Sequence, residues 1–285
     1  MKISFFNIMS EKKYDLVIAY RIYPRVSKNP PIFNDDKFKL SEFCLNSFKE
    51  SLGSLNVKIW ALLDNCPKEY ESLFKKYFDP DKLVILNLNA IGNKASFDLQ
   101  IKILSEQKDS EIVYFAEDDY VYLPNQFKIM VNFFKQNSNV DFITPYDHPD
   151  YYYHLLHRYK SIIKISPYHH WRTIASTTCT FLTSKNFLMK TKKVLKLYTK
   201  KNVDDATIFN ILTKEGVTNP VVLFRSLFKK SIFVLYFRIW RHGWKYLLFG
   251  KRRKLWCPIP AIGTHMESTL LAPTIKWNDI FNQSI

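Results

Sequence analysis

The sequence predicts an α/β fold, a mostly parallel sheet flanked by helices and followed by a basic, aromatic helical C-terminal extension. Three observations carry this reading. Between residues 14 and 119, runs of β-forming residues alternate with helix-periodic segments. Such alternation calls for crossover connections, parallel pairing and helices on both faces. The composition, 47% hydrophobic and 24% charged over 285 residues, is that of a globular chain able to bury a large core. Polar residues gather where the predicted strands end, and that edge is where open α/β sheets bind ligands.

The first strand is "YDLVIAYRI" (14–22), a short apolar run rich in β-formers. Ser41 opens "SEFCLNSFKESL", where Phe43, Leu45, Phe48 and Leu52 recur at helical spacing. "VKIWALLD" (57–64) is the second strand, and Pro67 starts "PKEYESLFKKYF" as a helix, since its missing N–H is no loss in a first turn. "KLVILNLN" (82–89), "KASFDLQIKILSEQ" (94–107) and "EIVYFAEDD" (111–119) follow as third strand, third helix and fourth strand. A helix is expected after Pro124, then a strand "VDFITPYD" (140–147) and an aromatic, histidine-rich stretch to Trp171. "IASTTCTFLTS" (174–184) reads as a strand and "KNFLMKTKKVLKLYTKK" as a basic helix. Asp204 opens a further helix, "DDATIFNILTKEG", stopped by Gly216. Residues 221–256 are strongly basic and aromatic, and "PIPAIGTHMESTLLAP" reads mostly as loop.

The bulk numbers narrow the function. An excess of 42 Lys+Arg over 26 Asp+Glu, formally +16, points to an anionic partner: nucleic acid, an acidic membrane surface or a phosphorylated ligand. With 6 glycines the chain holds neither GxGxxG nor GxxxxGK[ST], which excludes the usual glycine-rich phosphate loops. Cys44, Cys66, Cys179 and Cys257 are far apart and form no CxxC pair, so reduced cytosolic thiols are expected rather than disulfides or a zinc site. "MKISFFNIMSEKKYD" is too brief for a signal sequence, and no apolar run approaches the roughly 20 residues that span a bilayer. A cytoplasmic protein is expected, peripheral at the inner face of the cell membrane.

The chemistry concentrates in "AEDDYVY". Glu117, Asp118 and Asp119 end the fourth strand, and carboxylates this close repel unless a cation or proton shares the site. Hard oxygen ligands suit Mg²⁺ or Mn²⁺, which bridge to substrate phosphates. A solvated turn, or a cap for the helix after Pro124, would use the same residues.

At this point the chain resembles the GT-A class of nucleotide-sugar glycosyltransferases, in particular the broad inverting glycosyltransferase family 2. "AEDDYVY" matches in type and place the DxD-type motif that ends the fourth strand in that class. The resemblance implies Mn²⁺ or Mg²⁺ on the donor's diphosphate, with Asp119 as direct ligand and Glu117 orienting the metal group. Asp118 would lie near the donor ribose or a metal-bound water. "VDDATIFNIL" matches the acidic pair that opens a helix in family 2 and supplies the general base; Asp205 aligns with the base and Asp204 stands beside it. A helix N-terminus favours an ionised carboxylate, and it equally makes Asp204 and Asp205 good capping and first-turn residues. His265 in "AIGTHMES" resembles the C-terminal histidine that several GT-A families add as a metal ligand. Tyr20, Arg21, Asp64, Asn93 and Lys94 occupy the places that hold the donor nucleotide.

The resemblance covers roughly residues 14 to 212, plus His265, and implies a nucleotide-sugar donor and a glycan or lipid-linked acceptor in surface polysaccharide or lipopolysaccharide assembly. Residues 1–220 would form the nucleotide-sugar-binding and catalytic domain, with 221–285 as a basic amphipathic segment completing the site. One departure is "AIGNKASFD", which replaces the "GxxxARN"-like entry to the third helix and leaves the donor open. His148, His154, His157, His169 and His170 suggest an acceptor-facing flap, with Trp171 and Arg172 stacking on or pairing with a sugar or phosphate; Ser176, Thr177 and Thr178 would line the acceptor site. The basic aromatic run has the make-up of a helix lying on an anionic membrane. Nucleic acid is disfavoured, since no RNP, KH or zinc-finger pattern is present. The alternatives are a retaining GT-A enzyme, since sequence does not fix the anomeric outcome, a GT-A-like nucleotidyltransferase, which lacks its glycine-rich loop here, and a non-enzymatic membrane or nucleic-acid binder, which leaves the acidic triplet without a purpose.

Overall fold

The computed structural model describes residues 13–26, 29–217 and 228–282, together with Pro220 and Phe224; the N-terminal stretch 1–12 and parts of the basic run at 221–227 lie outside the described residues. Four parallel strands, β1 (Leu16–Ile22), β2 (Val57–Asp64), β3 (Leu83–Leu88) and β4 (Ile112–Glu117), lie in the order β3-β2-β1-β4. Helices α1 (Lys37–Leu52), α2 (Glu69–Tyr77) and α3 (Gly92–Glu106) connect them. All of β1 is buried because the sheet is covered on both faces. Leu16, Ile18, Tyr20 and Ile22 join one core with Phe48 and Phe74, whereas Val17 and Ala19 join another with Phe97 and Ile101.

The second half comprises β5 (Tyr120–Tyr122), α4 (Phe127–Gln136), β6 (Phe142–Ile143), α5 (Asp150–Tyr153), β7 (Ile163–Ile165), β8 (His170–Ile174) and β9 (Phe181–Ser184). After these come α6 (Lys185–Leu195), α7 (Asp205–Thr213), α8 (Lys230–Phe249), β10 (Leu255–Ile259), β11 (Gly263–His265) and α9 (Trp277–Asn282). The main sheet runs β3-β2-β1-β4-β9-β6-β10-β8-β7. Only β9 and β8 oppose the other strands, so seven of these nine point one way. The α/β class is as the sequence predicts.

Three expectations are corrected. The strand expected over 140–147 shrinks to β6, because Pro145 cannot donate to a ladder. The run 174–184 is divided: β8 ends at Ile174, and β9 begins only at Phe181. The C-terminal stretch read as loop supplies β11 and the last two residues of β10, which begins within the basic run. β10 lies between β6 and β8, and β11 pairs antiparallel with β5, setting His265 opposite Tyr120. Gly263 permits that pairing: a Cβ there would stand 2.8 Å from the Tyr122 ring and 2.9 Å from the Val121 carbonyl oxygen.

Candidate active site

The order β3-β2-β1-β4 reverses direction between β1 and β4, and beyond the carboxyl ends of those strands such sheets open a ligand crevice. A cavity of about 460 Å³ lies there, lined by Arg21, Tyr23, Asp64, Gly92, Asn93 and the acidic triplet among others.

Arg21 leaves β1 on the α3 side. Its guanidinium donates to the Asn93 carbonyl oxygen at 2.8 Å, to the Asn93 side chain, and to the Glu117 carboxylate as a buried ion pair. Burial disfavours the guanidinium's charge, but Glu117 more than compensates and holds it more firmly protonated than usual. The other Glu117 oxygen accepts from Thr180 Oγ1 at 2.8 Å. Both oxygens are thus engaged, and Glu117 positions Arg21 instead of serving the metal group expected of it.

Asp118 pairs with Lys37 Nζ at 2.7 Å and accepts from the Tyr23 N–H at 3.2 Å. Burial leaves its pKa raised despite Lys37, whose own pKa burial would lower but Asp118 lifts to about 12. Asp119 differs. Its Oδ2 faces His265 Nε2 at 3.1 Å, and its Oδ1 is buried without a hydrogen-bond partner. Burial would raise this carboxyl, yet the His265 imidazole outweighs it and brings it to about 2.

Among the described residues no group of three or more His, Cys, Asp or Glu is arranged to cage a metal ion. An unpaired buried carboxylate oxygen next to an imidazole nevertheless fits a divalent ion that takes its remaining positions from phosphate and water. On this geometry Asp119 and His265 would hold Mn²⁺ or Mg²⁺.

The donor-side expectations divide. Asp64 accepts from the N–H groups of Ile91 at 2.8 Å and Gly92 at 2.7 Å, so its carboxylate orders the loop entering α3 at the cavity edge. Gly92 has φ +82°, a conformation that favours glycine. Asn93 lines the cavity beside Arg21. Tyr20 does not reach it: strand alternation turns its ring to the opposite face, edge-on to Phe48 and Phe74 at 5.4 and 5.5 Å. Lys94 is also turned away, its ammonium donating to the carbonyls of Lys200 and Val203, which ties α3 to the approach to α7.

A second cavity of about 130 Å³ is lined by His148, Asp150, His157, Ser176, Thr177, Thr178 and Asp205. Asp205 is the first residue of α7 and half-buried; it accepts from the Ala206 N–H at 2.8 Å, and burial pushes its pKa up to about 6. Asp204 caps the same helix through the Thr207 N–H at 2.9 Å and pairs with Arg238 of α8, so its carboxylate is committed to structure. His157 is pushed down to about 3 by burial and lines the pocket as a neutral imidazole. One hydrogen bond links the neighbourhoods of the two cavities. Tyr120, next to Asp119, bonds through its hydroxyl to Thr178 Oγ1 at 2.7 Å.

Trp171 and Arg172 are not acceptor-facing. Trp171 is fully buried, stacked on Phe133 at 4.0 Å, and donates to Ser166 Oγ at 3.0 Å. Arg172 pairs with Asp147 at 2.6 Å. His169 is bridged between the Pro260 carbonyl and Gln126 Oε1, each at 3.1 Å. Lys37 and Thr180 went unnoticed in the sequence; nothing local marks either, since their carboxylate partners lie about 80 and 60 positions away.

No protein-family model matches the chain, and no curated protein matches it. Among solved structures it is similar to a mannosyltransferase from Pyrobaculum calidifontis in complex with GDP-Man and Mn²⁺, at 13% identity and a TM-score of 0.43, over 72% of this chain and 52% of that one. It is similar too to 4-diphosphocytidyl-2C-methyl-D-erythritol synthase from Anaerococcus prevotii, at 12% and 0.42 over 76% of this chain and 97% of that one. A cytidylyltransferase from Leptospira borgpetersenii follows at 13% and 0.37, over 75% and 73%. The chain spans about half the length of the mannosyltransferase. Likeness at this level says nothing of activity.

Proposed function

We propose that this protein is a metal-dependent, inverting glycosyltransferase of the GT-A type. In this reading it moves a sugar from a nucleotide-sugar donor to a glycan or lipid-linked acceptor in surface polysaccharide or lipopolysaccharide assembly. The observation that carries the reading is the Asp119 carboxylate at the switch-point cavity, one oxygen on His265 and the other buried without a partner. Arg21, Asn93 and the loop that Asp64 orders receive the nucleotide in that cavity. A divalent ion on Asp119 and His265 would supply Lewis-acid neutralisation of the diphosphate leaving group.

Asp205 acts as general base in the smaller cavity. It takes the proton of an acceptor hydroxyl while that oxygen bonds to the anomeric carbon, and the carbon–oxygen bond to the diphosphate breaks. A carboxylate with a pKa of about 6 is mostly ionised at neutral pH yet basic enough to assist the transfer. Neutral His157 and the hydroxyls of Ser176 and Thr178 offer hydrogen bonds to a polyol.

Thermal shift with UDP, GDP, CMP and ADP, each with and without Mn²⁺, tests the reading. Metal-dependent stabilisation by one nucleotide is expected, and Asp119→Asn removes the metal dependence. Release of nucleoside diphosphate with sugar transfer is the expected chemistry. Release of pyrophosphate would instead assign a nucleotidyltransferase, and no nucleotide effect at all would discard both enzymes.

A further inference from the structure

We propose that the outer face of α8 is a docking surface for an anionic phospholipid bilayer. The helix buries Ile232, Tyr236, Ile239, Gly243 and Leu247 on the protein body. On its other side Phe233, Phe237, Trp244 and Leu248 follow one another at steps of four, seven and four residues, which is a single stripe on an α-helix. Each is between 44% and 59% exposed. Scattered exposed apolar residues need no explanation, but a continuous aromatic stripe does.

The charge beside the stripe names the partner. Lys230, Arg241 and Lys245 are exposed on this outer side, and α8 contains no acidic residue. Apolar side chains bordered by cations of one sign suit the headgroup boundary of an anionic bilayer, where the rings enter the acyl margin and the cations meet phosphate. No helix among the described residues is long and apolar enough to cross a membrane, so the contact lies along the surface. A protein or nucleic-acid partner is less well matched: the stripe offers no groove, and it is aliphatic at Leu248.

The docking has a geometric corollary. Arg238 of α8 pairs with Asp204, the residue next to Asp205. An α8 seated on lipid holds the smaller cavity close to the bilayer, within reach of an acceptor anchored in it. This corollary rests on the reading proposed above; the docking itself does not.

The test is co-sedimentation of the full chain with vesicles of phosphatidylglycerol and phosphatidylcholine, against phosphatidylcholine alone. Selective binding to the anionic vesicles is expected. Both Phe237→Ser/Leu248→Ser and Arg241→Glu/Lys245→Glu should weaken it about tenfold while leaving the thermal midpoint and nucleotide stabilisation unchanged. Unaltered binding in both variants would overturn the proposal by assigning attraction to the diffuse +16 charge. So would a lipid-free dimer that the apolar variant dissolves, since the face would then cover a second copy. Vesicle binding without any nucleotide effect would leave the docking standing and remove only the enzymatic reading.

Discussion

Asp205→Asn is the sharpest perturbation, because the same substitution should harm transfer and help folding. Burial moves the carboxyl from 3.8 to about 6. That is about two pH units, each worth about 1.4 kcal/mol, so ionising it in the fold forfeits at most about 3 kcal/mol. Asp205 is only half-buried, and solvent at the pocket mouth trims this to about 1–2 kcal/mol. With a folded pKa above the unfolded one, the stabilising contribution is complete below about pH 4 and lost as the pH rises through about 6. Asparagine cannot ionise and keeps it. The variant should therefore melt about 2–6 °C above the wild type at pH 8, with the gain vanishing towards pH 4. Thermal denaturation at pH 8, 6 and 4.5 and constant ionic strength measures this. A lower midpoint at pH 8, or a gain independent of pH, would refute the account of Asp205 as a carboxylate held under desolvation.

The same ionisation sets the activity profile: transfer by the wild type should fall about tenfold per pH unit below about 6, read from initial rates at saturating donor. Arg21→Met leaves Glu117 with Thr180 alone and should cost about 3–5 kcal/mol in urea denaturation, most of it recovered by adding Glu117→Gln. If the double variant is no more stable than the single one, the ion pair is not the cause. Gly243→Ala should destabilise by about 1–3 kcal/mol despite alanine's better helix propensity, because the new Cβ would meet Ile211 Cγ1 at 2.5 Å. His265→Ala should weaken the Mn²⁺ contribution to nucleotide stabilisation and leave the metal-free nucleotide shift as it was, by thermal shift.

Local pattern told most where neighbours in sequence decide the outcome. β2 has the bounds its apolar run predicts, and Asp204 caps α7 as its residue type and place suggest. It told least where the facing residue is distant. Tyr20 and Arg21 are adjacent on a strand buried from both sides, so hydropathy could not show which one faces the cavity. The acidic triplet is similar: Glu117, Asp118 and Asp119 find Arg21, Lys37 and His265, partners that no local spacing reveals. Trp171 looked like a platform for a sugar because tryptophan often is one, but Phe133 already occupies its face. The two C-terminal strands were hidden by Pro258, Pro260 and Gly263, which read as loop until pairing with β8 and β5 is considered.

The placement of β10 has a consequence for biogenesis. A nascent chain that has reached residue 250 carries β6 and β8 without the strand that joins them, two raw edges inviting contact with other chains. His265, the second half of the Asp119 pair, emerges later still. Synthesis therefore passes through an interval in which these edges stand open and Asp119 has not yet met His265. Closure of the seam and pairing of Asp119 with His265 both wait for the stretch after residue 250.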